Sequence, residues 1–272
     1  MRLSVTTWSF PACTLAEASG IAKVLGIDGI DLGYRYASAI DRARVLADPH
    51  AYGAELRATL PLAIANVWHL FGADRTIRQL AGPPDPRNLP DLRAALEFCR
   101  AIGAPTLFVL PGLLGPGQSR AAAMANAVEV LGPMVDAACE AGITLTVEPH
   151  VHAWLESPAM TLDLIRELPG LKLTLDPAHF ACLGYTQDMI EPLCLHTAHV
   201  HLRQGRPGVL QCRLEDGTLN FPAFLGALRD AGYAGWLAIE YLNQPYMETT
   251  RDDVLLETVR MRDLVRNWLA QT

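Results

Sequence analysis

Short runs of β-forming residues alternate with longer amphipathic stretches along the whole chain. The runs fall at 2–7, 28–33, 61–67, 105–110, 143–148, 171–176, 197–202 and 236–241. Between them the apolar spacing predicts helices over 14–25, 50–60, 89–102, 119–141, 158–168, a short 186–194, 221–231 and a longer 249–269. Strand then helix, eight times over, is the pattern of a parallel sheet closed on itself. The expected fold is therefore α/β, a single (β/α)8 TIM barrel domain over residues 1–272. Turn chemistry agrees. Gly26, Gly103, Gly142, Gly170 and Gly232 fall just past helical stretches, where a left-handed C-cap precedes the next strand. Pro149 and Pro177 follow Glu148 and Asp176 directly, and proline has no N–H to give a ladder, so both strands should stop there. Two Gly/Pro-rich stretches, Gly72 to Pro90 and Leu202 to Asn220, are predicted as long βα loops on the face where barrel active sites form.

Composition narrows the functional classes. Half the residues are hydrophobic and 19% are charged, which suits strands buried on both faces. With 22 basic against 29 acidic residues the net charge is −7, and no basic excess exists to track phosphates. That argues against a nucleic-acid or anionic-membrane partner, and no apolar stretch is long enough to span a bilayer. The six cysteines (Cys13, Cys99, Cys139, Cys182, Cys194, Cys212) form no C-x-x-C pair and are expected as reduced, buried thiols of a cytoplasmic protein. Met1-Arg2 passes straight into Leu3–Trp8, without the apolar core of a signal peptide.

Four of the apolar runs end on a metal ligand: Leu145-Thr-Val-Glu148, Leu173-Thr-Leu-Asp176, Ala198-His-Val-His201 and Leu237-Ala-Ile-Glu240. The gaps of 28, 25 and 39 positions between these four each hold one βα unit, so they fall on consecutive strands, five to eight. Their side chains can converge at the C-terminal rim of the barrel. A strand-terminal acid often just caps the next helix, but four in succession point to one metal. Three carboxylates and an imidazole without thiolate suit Mn²⁺, Mg²⁺ or Co²⁺ better than structural zinc, while catalytic Zn²⁺ also fits. The turn Asp176-Pro-Ala-His179 keeps His179 near that rim, to bind substrate or support a ligand.

These residues together resemble the xylose-isomerase-like barrel proteins, the sugar phosphate isomerase/epimerase family. The matching elements are Val147-Glu148, Asp176-x-x-His179, His199-Val-His201-Leu-Arg203, Glu215-Asp-Gly-Thr-Leu-Asn-Phe-Pro222 and Ile239-Glu240. The resemblance covers the whole chain and is strongest over 143–241. It implies that Glu148, Asp176, His201 and Glu240 hold one divalent metal, that Glu148 and Glu240 also form the catalytic acid/base pair, and that His179 contacts substrate oxygens. A basic residue after the His-x-His strand would do likewise; Arg203 is the first candidate, with Arg206 and Arg213 open. A metal-polarised ketone acidifies the neighbouring C–H, one carboxylate removes that proton and another returns it.

Departures sharpen the resemblance. Leu110-Pro-Gly112 stands where endonuclease IV-like members carry a zinc histidine, and Val209 to Gln211 lacks their Asp-x-His pair, which disfavours phosphodiester cleavage. His69 ends strand three and is expected to contact substrate, or else to sit in an aromatic cluster. Where ketose 3-epimerases place a further Glu, this chain has Pro149-His150-Val-His152; His150 or His152, at most one, fills that space. Trp8, Phe10, Tyr34, Trp68, Phe71, Trp154 and Tyr241 flank strand ends and can stack on a sugar. The ligand shell carries about −1 with a divalent ion, which disfavours an anionic substrate unless an arginine compensates, and the last βα loops lack a Gly-rich phosphate cradle. The expected function is a metal-dependent isomerase or epimerase of a neutral, ketose-like carbohydrate working through an enediolate. The alternatives are a dehydratase acting on a keto-sugar or keto-inositol and a non-catalytic sugar-binding barrel. Neither the sugar nor the oligomeric state, a homo-oligomer included, is written in the sequence.

Overall fold

The computed structural model describes residues 1–249 and 253–271. Eight parallel strands close in chain order: β1 (Arg2–Thr6), β2 (Gly29–Leu32), β3 (Ala63–His69), β4 (Thr106–Val109), β5 (Thr144–Val147), β6 (Lys172–Leu175), β7 (Thr197–Leu202) and β8 (Trp236–Ile239). The seam is β1 against β8, with Arg2 opposite Trp236 and Val5 opposite Ile239. The outer ring is α1 (Leu15–Val24), α2 (Arg42–Ala47), α3 (Pro49–Thr59), α4 (Asn88–Ile102), α5 (Arg120–Ala141), α6 (Pro158–Glu167), α7 (Pro177–Cys182), α8 (Gln187–Ile190), α9 (Phe221–Asp230) and α10 (Val254–Gln271).

Local chemistry accounts for most boundaries. Thr14 and Glu17 form a capping box on α1, and Asp41, Asp48, Ser119, Ser157 and Asn220 cap α2, α3, α5, α6 and α9 through their side chains. Gly103 and Gly142, at φ 83° and 68°, end α4 and α5 in the left-handed region, and Gly26, Gly170 and Gly232 also take positive φ. Two helices depart from expectation. The six-residue α2 is too short to show a periodicity and buries only Val45. Residues 177–182, read as a turn from the sequence, form α7, because Asp176 Oδ1 accepts from the Ala178 N–H (2.9 Å) and Pro177 occupies the first turn. The last helix begins at Val254; positions 250–252 of the predicted 249–269 lie outside the described residues. Cys139 is exposed and Cys13 half-buried, against the expectation that all six thiols are buried. No helix among the described residues is long and apolar enough to cross a membrane.

Alternate strand residues face opposite ways. The outward set (Leu3, Val5, Ile30, Val67, Leu107, Val147, Leu173, Val200, Leu237 among others) forms the apolar core under the helices. The inward set is polar: Ser4, Asp31, Asn66, Thr106, Thr146, Thr174 and His199, all buried. Burying such groups is tolerable only when they bond one another. Ser4 Oγ donates to Asp31 Oδ1 (2.9 Å), Thr106 Oγ1 to Asn66 Oδ1 (2.8 Å), and the Thr146 and Thr174 hydroxyls lie 2.7 Å apart. This polar plug is the floor of the site above it.

Candidate active site

At the C-terminal ends of β5 to β8, Glu148, Asp176, His201 and Glu240 come together, all buried. His201 Nδ1 lies between two carboxylates, 2.8 Å from Glu148 Oε1 and 3.3 Å from Glu240 Oε2. Asp176 stands to one side, because Arg203 intrudes: its Nη2 is 2.6 Å from Asp176 Oδ2 and 3.4 Å from Glu240 Oε2. The donors consequently form two overlapping sets, Glu148–His201–Glu240 and Glu148–Asp176–His179, each with its ligand atoms within 4.8 Å of one another. Asp176 Oδ2 and Glu240 Oε2 are buried and receive no hydrogen bond of ordinary geometry. Buried carboxylate oxygens gathered beside an imidazole are the donor set of a hard divalent ion, so the residues fit one. Asp176 divides its labour: Oδ1 caps α7 while Oδ2 faces the cluster.

Burial and neighbouring charge drive the two glutamates apart. Burial lifts Glu148 to about 7 against the opposing pull of His201. Burial acts on Glu240 too, but the His201 and Arg203 charges outweigh it and hold this carboxyl well below its usual range. The Trp8 indole N–H adds to that, donating to Glu240 Oε1 at 2.7 Å. Burial raises Asp176 despite Arg203. His201 is raised in spite of its burial, by Glu240 and Glu148, whereas burial keeps His150 and His179 neutral.

A cavity of about 550 Å³ opens above Glu148, Glu240 and Arg203. Trp8, Trp68, Phe108, Leu110 and Leu242 form one wall, with Trp8 and Trp68 ring centres 5.7 Å apart and Trp68 stacked on Phe108 at 6.1 Å. Gly33 permits this wall, since a Cβ there would come within 2.9 Å of Trp8 and 3.1 Å of Trp68. Of the seven aromatic residues singled out from the sequence, Trp8, Tyr34 and Trp68 line the cavity, while Phe10, Phe71, Trp154 and Tyr241 belong to the core.

The remaining candidates divide. Arg203 lines the cavity; Arg206 and Arg213 do not. His150 lines it and packs on His179 with ring centres 4.0 Å apart, while His152 lies on the exposed rim beside the Tyr246 hydroxyl (3.2 Å). His150 Nδ1 donates to the Val151 carbonyl (2.7 Å), leaving Nε2 free to accept. His179 Nε2 lies 3.0 Å from Arg203 Nη2 and 3.5 Å from Asp176 Oδ2, and its Nδ1 lies 3.3 Å from the Val151 N–H nitrogen. His69 does not reach the cavity. It points away from the barrel axis, one residue out of phase with Trp68, onto Phe71 (ring centres 4.8 Å apart) and the Tyr34 hydroxyl (3.4 Å). The structure places His69 in an aromatic cluster with Phe71 and Tyr34.

One carboxylate went unrecognised in the sequence. Asp31, in the middle of β2, is fully buried, with Oδ2 2.6 Å from His199 Nε2 and 3.6 Å from His201 Nε2. Burial opposes its ionisation, but His199 and His201 more than compensate, and its carboxyl stays below the usual range. It stands behind the His201 ring, where a carboxylate fixes the orientation of a ligating imidazole. Asp31, His199 and His201 also have metal-like spacing. The 2.6 Å Asp31–His199 separation is, however, a hydrogen-bond distance, shorter than the ~3 Å between two donors each about 2.1 Å from one ion.

The model of the xylose isomerase-like TIM barrel family matches residues 20–263. A 2-oxo-tetronate isomerase of Pectobacterium atrosepticum is 24% identical over 161 residues, covering 56% of this chain and 60% of the relative. A provisionally named hydroxypyruvate isomerase of Streptomyces coelicolor is 29% identical over 188 residues, covering 63% and 65%. The chain thus spans under two thirds of the length of these relatives. Among solved structures, a D-tagatose 3-epimerase-like protein superposes with TM-score 0.74 at 17% identity, covering 99% of this chain and 97% of that one. An IolI protein with a bound zinc atom gives 0.75 at 15% (98% and 99%). A Mycobacterium smegmatis barrel in complex with magnesium gives 0.74 at 14% (99% and 97%). At these identities the structural likeness is one of fold.

Proposed function

The chain belongs to the xylose isomerase-like TIM barrel family, and from that premise we propose that it isomerises or epimerises a ketose-like carbohydrate by proton transfer through an enediolate, with one divalent ion in the site. The observation that carries this reading is the asymmetry of Glu148 and Glu240. Two carboxylates flank one imidazole, both face the cavity, and their environments push their proton affinities in opposite directions. Such a split assigns an acid and a base. Glu240, held ionised by His201 and Arg203, takes the proton from the carbon beside the carbonyl. Glu148, on the other side of the His201 Nδ1, returns a proton to the enediolate carbon or its neighbour. His150 Nε2 and Arg203 are placed to hold substrate hydroxyl or carbonyl oxygens, and the Trp8–Trp68–Phe108 wall to cover the sugar's apolar face. Glu148, His201, Glu240 and Asp176 would hold the ion, which supplies Lewis-acid polarisation of the ketone when bound. The relatives named for isomerisation of 2-oxo-tetronate and hydroxypyruvate, and the neighbours with zinc and magnesium, support this assignment.

Incubation of the Mn²⁺-supplemented protein with a panel of ketoses in D₂O tests it. The expected result is one solvent deuteron at the carbon beside the carbonyl with the molecular formula otherwise kept. Its incorporation should fall by about 10²-fold or more in Glu240→Gln and Glu148→Gln. Loss of water instead would replace the isomerase by a dehydratase. Absence of both divalent-ion binding and exchange would end the enzymatic reading.

A further inference from the structure

Two arginines at the cavity mouth, Arg35 and Arg75, are not used by the chemistry above. Both line the cavity, and neither has a carboxylate within ion-pairing distance among the described residues. Each is held against an aromatic face. The Arg35 Cζ lies 5.4 Å from the Tyr36 ring centre and 5.9 Å from that of Trp68, and the Arg75 Cζ lies 5.5 Å from that of Tyr246. At these distances the ring faces attract the guanidiniums while their N–H edges stay free to bond an anion. The two belong to different walls. Arg35 connects through Trp68 and Trp8 to Glu240, and Arg75 connects through Tyr246 to His150 (ring centres 6.1 Å apart), which packs on His179 beside Asp176.

We propose that Arg35 and Arg75 form an anion subsite, and that the substrate is a polyhydroxy ketone carrying a carboxylate or phosphate at the end remote from the reacting carbon. The inference rests on the isomerase reading and narrows its substrate class. Charge supports it. The objection to an anionic substrate is the negative ligand shell, and Arg203 removes it: Glu148, Asp176 and Glu240 are balanced by Arg203 and one divalent ion. Asp31 is screened behind the His201 and His199 rings. Among the residues lining the cavity, Asp74 is the one acid besides Glu148 and Glu240, and its Oδ1 already accepts the Thr76 N–H (2.7 Å). One positive charge is left over at the outer end of a neutral cavity, which is the complement of a singly charged tail on a neutral head.

Calorimetric binding of three unreactive four-carbon probes to the Mn²⁺-loaded protein tests this: erythritol, erythronate and erythritol 4-phosphate. At least one anion should bind about tenfold or more tighter than erythritol, with the advantage shrinking from 50 to 500 mM salt. Which anion wins separates a sugar acid from a sugar phosphate. In the Arg35→Gln/Arg75→Gln double variant the advantage should disappear while Mn²⁺ affinity and erythritol binding are kept. Equal binding of all three probes, or an anion preference that survives the double variant through direct contact with the ion, overturns the subsite. Deuterium exchange on neutral ketoses reports separately. If it occurs without an anion preference, only the subsite falls; if anions bind through the arginines and nothing exchanges, only the isomerase reading falls.

Discussion

The two halves of the barrel do different work. Strands β5 to β8 end on Glu148, Asp176, His201 and Glu240, and β7 runs on into Arg203, so the second half supplies nearly all the charge of the site. Strands β1 to β4 supply a wall instead, with Trp8 beyond β1, Gly33 beyond β2, Trp68 on β3 and Phe108 on β4. A ring of identical βα units therefore holds a site that is polar on one side and aromatic on the other. This suits a molecule with a reactive edge and an apolar face. Asp31 is the exception, a carboxylate sent from the wall half to the back of the His201 ring.

The comparison can be broken where it is strongest. Glu148→Gln and Glu240→Gln should each lower deuterium exchange by about 10²- to 10⁴-fold, with the metal-free protein still folded by circular dichroism. If the division of labour extends to Asp31, Asp31→Asn should weaken divalent-ion affinity about 10- to 100-fold, measured by Mn²⁺ titration, although the residue touches no substrate. Ion affinity should also fall with pH. Below about 7 the raised Glu148 carboxyl holds a proton that binding must displace, so affinity drops by up to about tenfold per unit toward pH 5 and levels off above 8. On the wall side, Trp68→Ala should raise KM about tenfold with little change in kcat, since stacking acts on bound substrate and transition state alike. The smallest effect is reserved for His69→Leu, expected to alter kcat/KM by less than about twofold while shifting the melting temperature. A loss beyond tenfold would return His69 to the site.

The charged half was legible because Glu148, Asp176, His201 and Glu240 each end an apolar run, and a polar group at a barrel strand's C-terminus has few other reasons to be buried. The wall half was less so. Asp31 sits inside Gly29-Ile-Asp-Leu-Gly33, where a lone acid looks the same whether it faces solvent or the barrel axis. Only closure of the sheet, which puts Asp31 level with Thr6 and Asn66, shows which. For His69 the signal was present: Asn66 and Trp68 share one face of β3, so His69 had to take the other. Arg203 was identified but not its placement between Asp176 and Glu240, because its side-chain path depends on the packing of three strand ends.

The hydrogen bond from Trp8 to Glu240 joins residues 232 positions apart, across the same seam where β1 pairs with β8. Glu240 therefore acquires its partner only after the first and last strands have met. No fragment from either end can assemble the site, and a chain emerging from the ribosome must keep its first strand unpaired on one edge until the eighth arrives. Contacts this distant in sequence are slow to form. Catalytic competence in this protein should then appear in the slowest phase of refolding, together with ring closure, making turnover itself a clock for the completion of the barrel.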